Sequence, residues 1–464
     1  MTYKTKKGDG TVKQLVAILT VIALVFSCAA ICAAAGLLVG DANGDGVVNT
    51  KDVLALRRYL AALSTTITLP NADANGDGAV NTKDVLWLRK TLAGLDPNAT
   101  TPPRTTAVIP TSDEELRGVW LAYYEIDGLL KSSPAATKTA IDNAFDTCRA
   151  FGLNTVFFHV RAKSDAYYNS KIFPPVAAVK SLLNQGFDPL SYAVESAHNR
   201  GLALHAWLNP YRVGDGKNAV CPDTFTFDKT VYYSPSSETV KTTLLSGIEE
   251  ILKNYAVDGI HFDDYFYPSG VPATAQAFDV GYTAACGNLA DWRRAQVTDF
   301  IQRAYTLTHA LSKTAQFGIS PAGNPDSDRN TLYADVETWL KTAGYVDYLC
   351  PQLYYGFQNS AAPFADVLTQ WNTLPRASGV RLYVGLSVYK AGIAEDIWAG
   401  TGKAEWATGG DILARQVATL RAESGVSGFA LFSYTHLTGA GFDKTCDKTV
   451  IQKELDNLKR ALVA

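Results

Sequence analysis

The sequence predicts an α/β protein, a (β/α)8 TIM barrel preceded by a small all-α module, and three observations predict it. A stretch near the N-terminus is repeated almost unchanged, a Pro/Thr-rich segment follows it, and beyond residue 113 eight short apolar runs alternate with helical stretches. With 464 residues, more than one folded unit is expected. Hydrophobic residues at 47% and charged residues at 19% suit a sizeable core. A formal net charge of −3 leaves no basic footprint, so no nucleic-acid partner is expected.

Taken in order, the chain starts with Lys4, Lys6, Lys7 and Lys13, then runs uncharged from Gln14 to Gly40. A basic start, an apolar middle and the small residues Ala33 to Ala35 describe an export segment over residues 1–35. It reads as a signal peptide cut after Ala35. It is also long enough to be a membrane anchor if it is retained. In either case the remainder is expected to be secreted or attached to the cell surface, and to meet a membrane only through an uncleaved segment. Beyond it, Cys148, Cys221, Cys286, Cys350 and Cys446 are odd in number and widely spaced, which fits neither a disulfide scaffold nor a zinc site.

Residues 41–61, DANGDGVVNTKDVLALRRYLA, recur at 73–93 as DANGDGAVNTKDVLWLRKTLA, with seventeen of 21 positions identical. Each copy opens with a twelve-residue loop rich in oxygen donors. The first offers Asp41, Asn43 and Asp45, a glycine turn at Gly46, the Val47 carbonyl, Asn49 and a closing Asp52. The second offers Asp73, Asn75, Asp77, Gly78, the Ala79 carbonyl, Asn81 and Asp84. Alternating carboxylates and amides around a glycine turn suit Ca2+, which takes six to eight oxygens in flexible geometry, so two ions are expected. These are not ordinary EF-hands. Position 12 is Asp rather than Glu, and only the segment after each loop has helical spacing of apolar residues. Paired loops, single helices and the basic pair Arg57-Arg58, echoed by Arg89-Lys90, resemble a type I dockerin over residues 37–96. The resemblance implies calcium-dependent docking to a cohesin on a scaffoldin or cell-surface protein, with recognition residues at Thr50-Lys51 and Thr82-Lys83. Residues 97–112, PNATTPPRTTAVIPTS, have no apolar period and read as an extended linker.

The last unit is expected over 113–464. Its eight strands are read at 116–125, 153–162, 202–212, 257–266, 316–324, 346–356, 381–390 and 426–437. Strands alternating with helices imply a parallel sheet, and eight such units fit a barrel whose site lies at the strands' C-terminal ends. Those ends carry Tyr123-Tyr124, Arg161, Trp207, Asn209, Tyr211, Asp263, Asp264, Tyr354 and Tyr434, polar and aromatic groups suited to a sugar platform. The motifs ELRGVWLAYYE, HVRAKSDAYY, GFDPLSYAVESAHNRGLALHAWLNPYR, VDGIHFDDYFYP, FGISPAGN and VDYLCPQLYYGF resemble the glycosyl-hydrolase-like family 10, some of whose members are peptidoglycan glycan hydrolases. The resemblance implies hydrolysis of a β-linked, amino-sugar-containing glycan such as peptidoglycan strands, whereas the dockerin resemblance implies another polysaccharide, of plant or host, supplied to a cellulosome-like assembly.

Glycoside hydrolysis usually needs two carboxyl groups. Adjacent aspartates after an apolar strand are costly to bury unpaired, so Asp263 is the central candidate. The strand around it also resembles that of chitinase-type enzymes, but with His261 in place of one acid and Tyr265 in place of the terminal Glu. The second carboxyl is therefore sought in Asp264, Asp165 or Glu125, with Asp165 favoured beside Arg161. Substrate contacts are expected from His261, Arg161, Trp120, Trp207, Asn209, Tyr211 and Tyr354. Two other readings stay open. His159, His205 and His261 on consecutive strands could hold a metal with Asp263, as in a metal-dependent glycan deacetylase, whereas the hydrolase reading requires no cofactor in the barrel. A barrel without its acid could serve as a non-catalytic glycan-binding display protein.

Overall fold

The structure is a computed structural model, and it describes residues 38–63, 66–92, 114–276 and 278–463. The export segment 1–35 and the linker 97–112 lie outside the described residues. The chain divides into two compact units, within 1–104 and 105–464.

The first unit is built twice from one recipe. Helices Thr50–Leu60 and Thr82–Leu92 each follow one oxygen-rich loop, and a short turn of helix, Leu69–Ala72, joins the copies. Asn49 caps the first helix: its side chain accepts from Lys51 N at 2.8 Å, while Asp52 accepts from Asn49 N at 2.8 Å. This reciprocal arrangement satisfies donors that the helix start leaves unpaired. Leu56 and Leu88 occupy the same place in the two copies and meet in a small core with Ala42 and Ala72, flanked by Val48, Val53, Val80 and Val85. So small an apolar core calls for help from a bound ion.

In the second unit nine parallel strand segments form one sheet. They are β1 (Leu116–Leu121), β2 (Thr155–Arg161), β3 (Ala203–Leu208), β7 (Gly259–Phe262), β8 (Gln316–Ile319), β9 (Tyr348–Leu349), β10 (Arg381–Leu382), β11 (Val384–Ser387) and β12 (Gly428–Phe432). Only Tyr383 separates β10 from β11, and both Tyr383 N and Gly385 N donate to the β9 chain, at Leu349 O and Pro351 O. They are one strand in two pieces. Since β10 pairs with β9 and β11 with β12, that strand closes an eight-stranded ring. All eight expected strands are present, but several stop early. The YYE after β1 opens a helix, Tyr123–Leu129, and Tyr434–Leu437 is a helical turn after β12.

The lumen is filled by large rings set against glycines. A Cβ on Gly259 would lie 2.6 Å from the His205 ring, and one on Gly318 would fall inside the Tyr348 ring. Such alternation of small and large inward residues is how a barrel packs solid. Outside, capped helices cover the ring: Ser133, Asp188, Ser237 and Asn288 cap Pro134–Ala150, Pro189–Asn199, Glu238–Asn254 and Leu289–Leu311. After β3 the chain makes a three-stranded antiparallel excursion, β4 (Arg212–Gly214), β5 (Thr224–Phe227) and β6 (Thr230–Tyr233), in the order β4-β6-β5. Among the described residues the five cysteines are unpaired.

Candidate active site

A pocket of about 240 Å³ opens at the C-terminal ends of the barrel strands. Its floor rests on a buried hydrogen-bonded layer. Trp120 Nε1 can only donate, and it does so to His261 Nε2 at 3.1 Å. His261 must then carry its proton on Nδ1, 3.0 Å from Tyr348 Oη. Tyr348 in turn donates to His205 Nδ1, also at 3.0 Å. Burial holds both imidazoles neutral, lowering His205 to about 4 and His261 well below its usual range. One nitrogen of His205 and both of His261 are spent within this layer. The three-histidine metal set considered above is therefore not assembled: His159 sits apart from these two, stacked on Trp207 at 3.6 Å and 11°.

Above that layer stand the carboxyls. β7 ends at Phe262, so alternation puts Asp263 on the inward face with His261 while Asp264, past the strand, is free to turn inward too. Both line the pocket. Asp263 Oδ1 accepts from Gln352 Nε2 and from Asp264 N, each at 2.9 Å. Gln352 is fixed by a second bond to Ser320 O at 3.2 Å. Burial first, and then the charge of Asp264, raise Asp263 well above the usual carboxylate range. Burial raises Asp264 as well. The Asp263 charge also raises the Tyr265 phenol beside the pair.

Of the residues expected from sequence, Trp120, Trp207, Asn209, Asp263, Asp264 and Tyr354 line the pocket. Asn209 accepts from Trp207 Nε1 at 3.1 Å and donates to Ala162 O at 3.2 Å, which fixes both. His261 supports the floor from below. Four others lie elsewhere. The register of β2 against β3 shifts between His159 and Arg161, so Arg161 pairs with Leu208 and leaves the face that His159 keeps. It lies over the Phe173 ring at 4.8 Å, bonded to Pro210 O, with no carboxylate partner. Asp165 accepts from Lys163 N in the loop beyond and does not reach the pocket. Tyr211 is fully buried against Phe300 of a covering helix, because the chain turns away from the lumen at Pro210. Glu125 is a structural clamp, accepting from Ala122 N, Ser433 Oγ and Thr435 N and tying the end of β1 to that of β12.

The sequence reading missed Gln352, Arg212, Tyr389 and Phe432 as pocket residues. Gln352 was within reach, since Tyr348, Cys350 and Gln352 alternate onto one face. Arg212, whose guanidinium lies 5.4 Å over the Tyr265 ring, is delivered by the excursion after β3 and had no signal in the barrel pattern.

In the first unit the acidic positions of each loop hold its backbone in place. Asp41 accepts from Gly44, Asp45 and Gly46 N, and Asp52 from Asn43 and Asn49 N. Asp73 and Asp84 repeat the pattern on Asp77, Gly78, Asn75 and Asn81 N. Asp41, Asp52 and Asp84 are buried, with no Lys or Arg among the described residues bonded to them, a donor set that fits a hard divalent cation. Among the described residues no three His, Cys, Asp or Glu side chains cluster at metal-binding distance. Each loop would complete its ligand set with amide and backbone oxygens.

Comparison with known proteins gives two family matches. The glycosyl hydrolase-like 10 family matches residues 115–220 and 210–400, and the dockerin type I domain matches residues 39–93. Glycosyl hydrolase DigH of Escherichia coli (strain K12) is 28% identical over 386 residues, spanning 72% of this chain and 86% of that protein. Glycosyl hydrolase YngK of Bacillus subtilis (strain 168) is 31% identical over 316 residues, 60% of this chain and 62% of that protein. Among solved structures, the PgaB (BpsB) glycoside hydrolase domain from Bordetella bronchiseptica aligns with a TM-score of 0.47 at 13% identity, over 68% of this chain and 93% of that one. The catalytic domain of a beta-amylase from Paenibacillus polymyxa aligns at 0.48 and 13%, over 76% and 98%.

Proposed function

The chain belongs to the glycosyl hydrolase-like 10 family and carries a type I dockerin domain, and from that premise we propose that its barrel hydrolyses a β-linked glycan containing 2-acetamido sugars, such as peptidoglycan strands. The observation that carries this reading is the Asp263–Asp264 pair, set side by side in an aromatic-walled pocket with Asp263 held by Gln352. Two carboxyls that flank a glycosidic bond stand roughly 5–9.5 Å apart. Asp263 and Asp264 are consecutive residues joined by the Asp264 N to Asp263 Oδ1 bond, so they stand side by side rather than on opposite sides of a bond, which favours a substrate-assisted route. Asp263 gives its proton to the leaving oxygen as the bond to the anomeric carbon breaks. The acetamido oxygen of the same sugar closes onto that carbon, with Asp264 holding the amide in place. Water then opens the ring and returns a proton to the pair. Trp120, Trp207 and Tyr354 supply ring faces to the sugar, and His159, whose nitrogens lack hydrogen-bond partners, faces it from the floor.

We place the enzyme outside the cytoplasm, released or held at the cell surface, with its dockerin binding two Ca2+ and docking to a cohesin. Thr50, Lys51, Thr82 and Lys83 are exposed on the two helices, and Leu54 and Leu86 are exposed at equivalent positions, as a two-fold recognition surface needs. Among the described residues no helix is long and apolar enough to cross a membrane.

The test is release of reducing ends from peptide-free peptidoglycan strands, chitin and plant β-glucans, with and without EDTA. Asp263→Asn should lower turnover by about 10²–10⁴-fold with its thermal transition kept. Full activity in that variant would sink the assignment. EDTA-sensitive acetate release would move it to a deacetylase, and binding without cleavage to a display protein.

A further inference from the structure

Ile397 and Trp398 are 73% and 79% exposed, more than any other large apolar side chain of the described barrel unit. They are not on a loose loop. Asp396, just before them, is buried and ion-paired to buried Lys390 at 2.6 Å. Its other oxygen accepts from Trp398 N at 3.3 Å, and its backbone N donates to Lys403 O at 2.7 Å, closing the 396–403 turn. The turn is also pinned to the segment after β9: Ser360 N donates to Ala399 O at 3.1 Å, and Thr401 N to Ser360 Oγ at 3.0 Å. Lys390 spends a further hydrogen bond, 2.7 Å, on the carbonyl of Tyr354, whose ring walls the pocket with Tyr389 at 5.9 Å. One buried ion pair thus fixes both the pocket wall and the mount of an exposed indole. Tyr354 follows β9 and Tyr389-Lys390 follow β11, so the ion pair sits at the face where the strands end.

We propose that Trp398 is a further glycan subsite on the rim of the pocket, stacking on a sugar of the chain several units from the bond that is cut. This rests on the glycan reading above and deepens it. The pocket, at about 240 Å³, is below the roughly 300–1,000 Å³ of ordinary ligand sites, so most of a polymer must lie across the rim. A flat ring on a rigid mount offers a sugar's C–H face a large contact at little entropic cost. A protein partner is disfavoured. Glu395 and Lys403 at the edge satisfy each other at 2.7 Å, and two side chains make far less than the roughly 800 Å² a stable protein interface covers per partner.

The experiment compares the full chain with Trp398→Ala on peptide-free peptidoglycan strands and on short oligosaccharides cut from them. Binding is read separately by co-sedimentation of strands with Asp263→Asn and with the double variant. The subsite predicts that KM for strands rises about five-fold or more in Trp398→Ala while values on the shortest substrate stay put. It also predicts that the double variant sediments less with strands. Unchanged strand KM and co-sedimentation overturn it, as does a self-association that Trp398→Ala abolishes with glycan binding intact. If the full chain cleaves nothing, the co-sedimentation arm still decides: Trp398-dependent binding supports the subsite while the hydrolase reading fails, and no strand binding at all overturns both.

Discussion

The chemistry of Asp263 is set by its neighbours: burial, and then the charge of Asp264 beside it, raise its carboxyl well above the usual carboxylate range. The sign of the pH dependence follows. An acid with a raised pKa is competent below that value and lost above it, so turnover should fall as pH rises through the pair's raised pKa. Neutralising Asp264 removes the repulsion that helps hold the proton. Asp264→Asn should therefore move the alkaline limb of the pH–rate profile to lower pH, besides lowering the maximum. A limb that stays in place, or moves up, would separate Asp264 from the proton on Asp263. Tyr348 is the corresponding residue one layer down, where a single hydroxyl orders two imidazoles and, through His261, the indole of Trp120.

At the scale of elements, long connections at the strand ends must be held still. The connection after β7, through residue 288, is pinned by Arg293 of the Leu289–Leu311 helix. Its guanidinium bonds Asp279 at 2.6 and 2.9 Å, Tyr333 Oη at 2.9 Å and Pro272 O at 2.8 Å. The rings of Tyr267, Phe278 and Tyr333 pack on its faces. Removing one partner of a fully buried pair leaves a charge without compensation, so Arg293→Ala should cost about 3–5 kcal/mol in chemical denaturation. Limited proteolysis should open first between 264 and 288, and a loss under 1 kcal/mol would contradict the pinning role. The strands themselves were legible from sequence because each is a short apolar run bounded by polar residues. Their ends were not: in VWLAYYE nothing local says that the strand stops at Leu121, where the helix led by Tyr123 takes over.

For the whole molecule, two units answer to different forces. The barrel buries an extensive core, whereas the dockerin unit rests on four fully buried residues, two Leu and two Ala, and two oxygen-rich loops. Chelation should therefore unfold the dockerin unit, seen as loss of its helical signal and of cohesin binding, and leave the barrel's thermal transition within about 1 °C. A barrel transition that falls with chelation would mean a metal in the barrel as well.

The sequence alone determined the two calcium-type loops, the eight strands and the inward placing of Asp263, Trp120 and Trp207, because each is written in contiguous residues with a fixed period or motif. Tertiary structure alone decided who shares the pocket. A one-residue register shift turned Arg161 away from His159, the turn at Pro210 sent Tyr211 into the outer core, and the excursion that begins at Arg212 brought that guanidinium back over the pocket. Periodicity fixes which face a side chain takes only while the strand stays regular. Active sites are assembled where strands end, so they are built from the residues for which that rule has just expired.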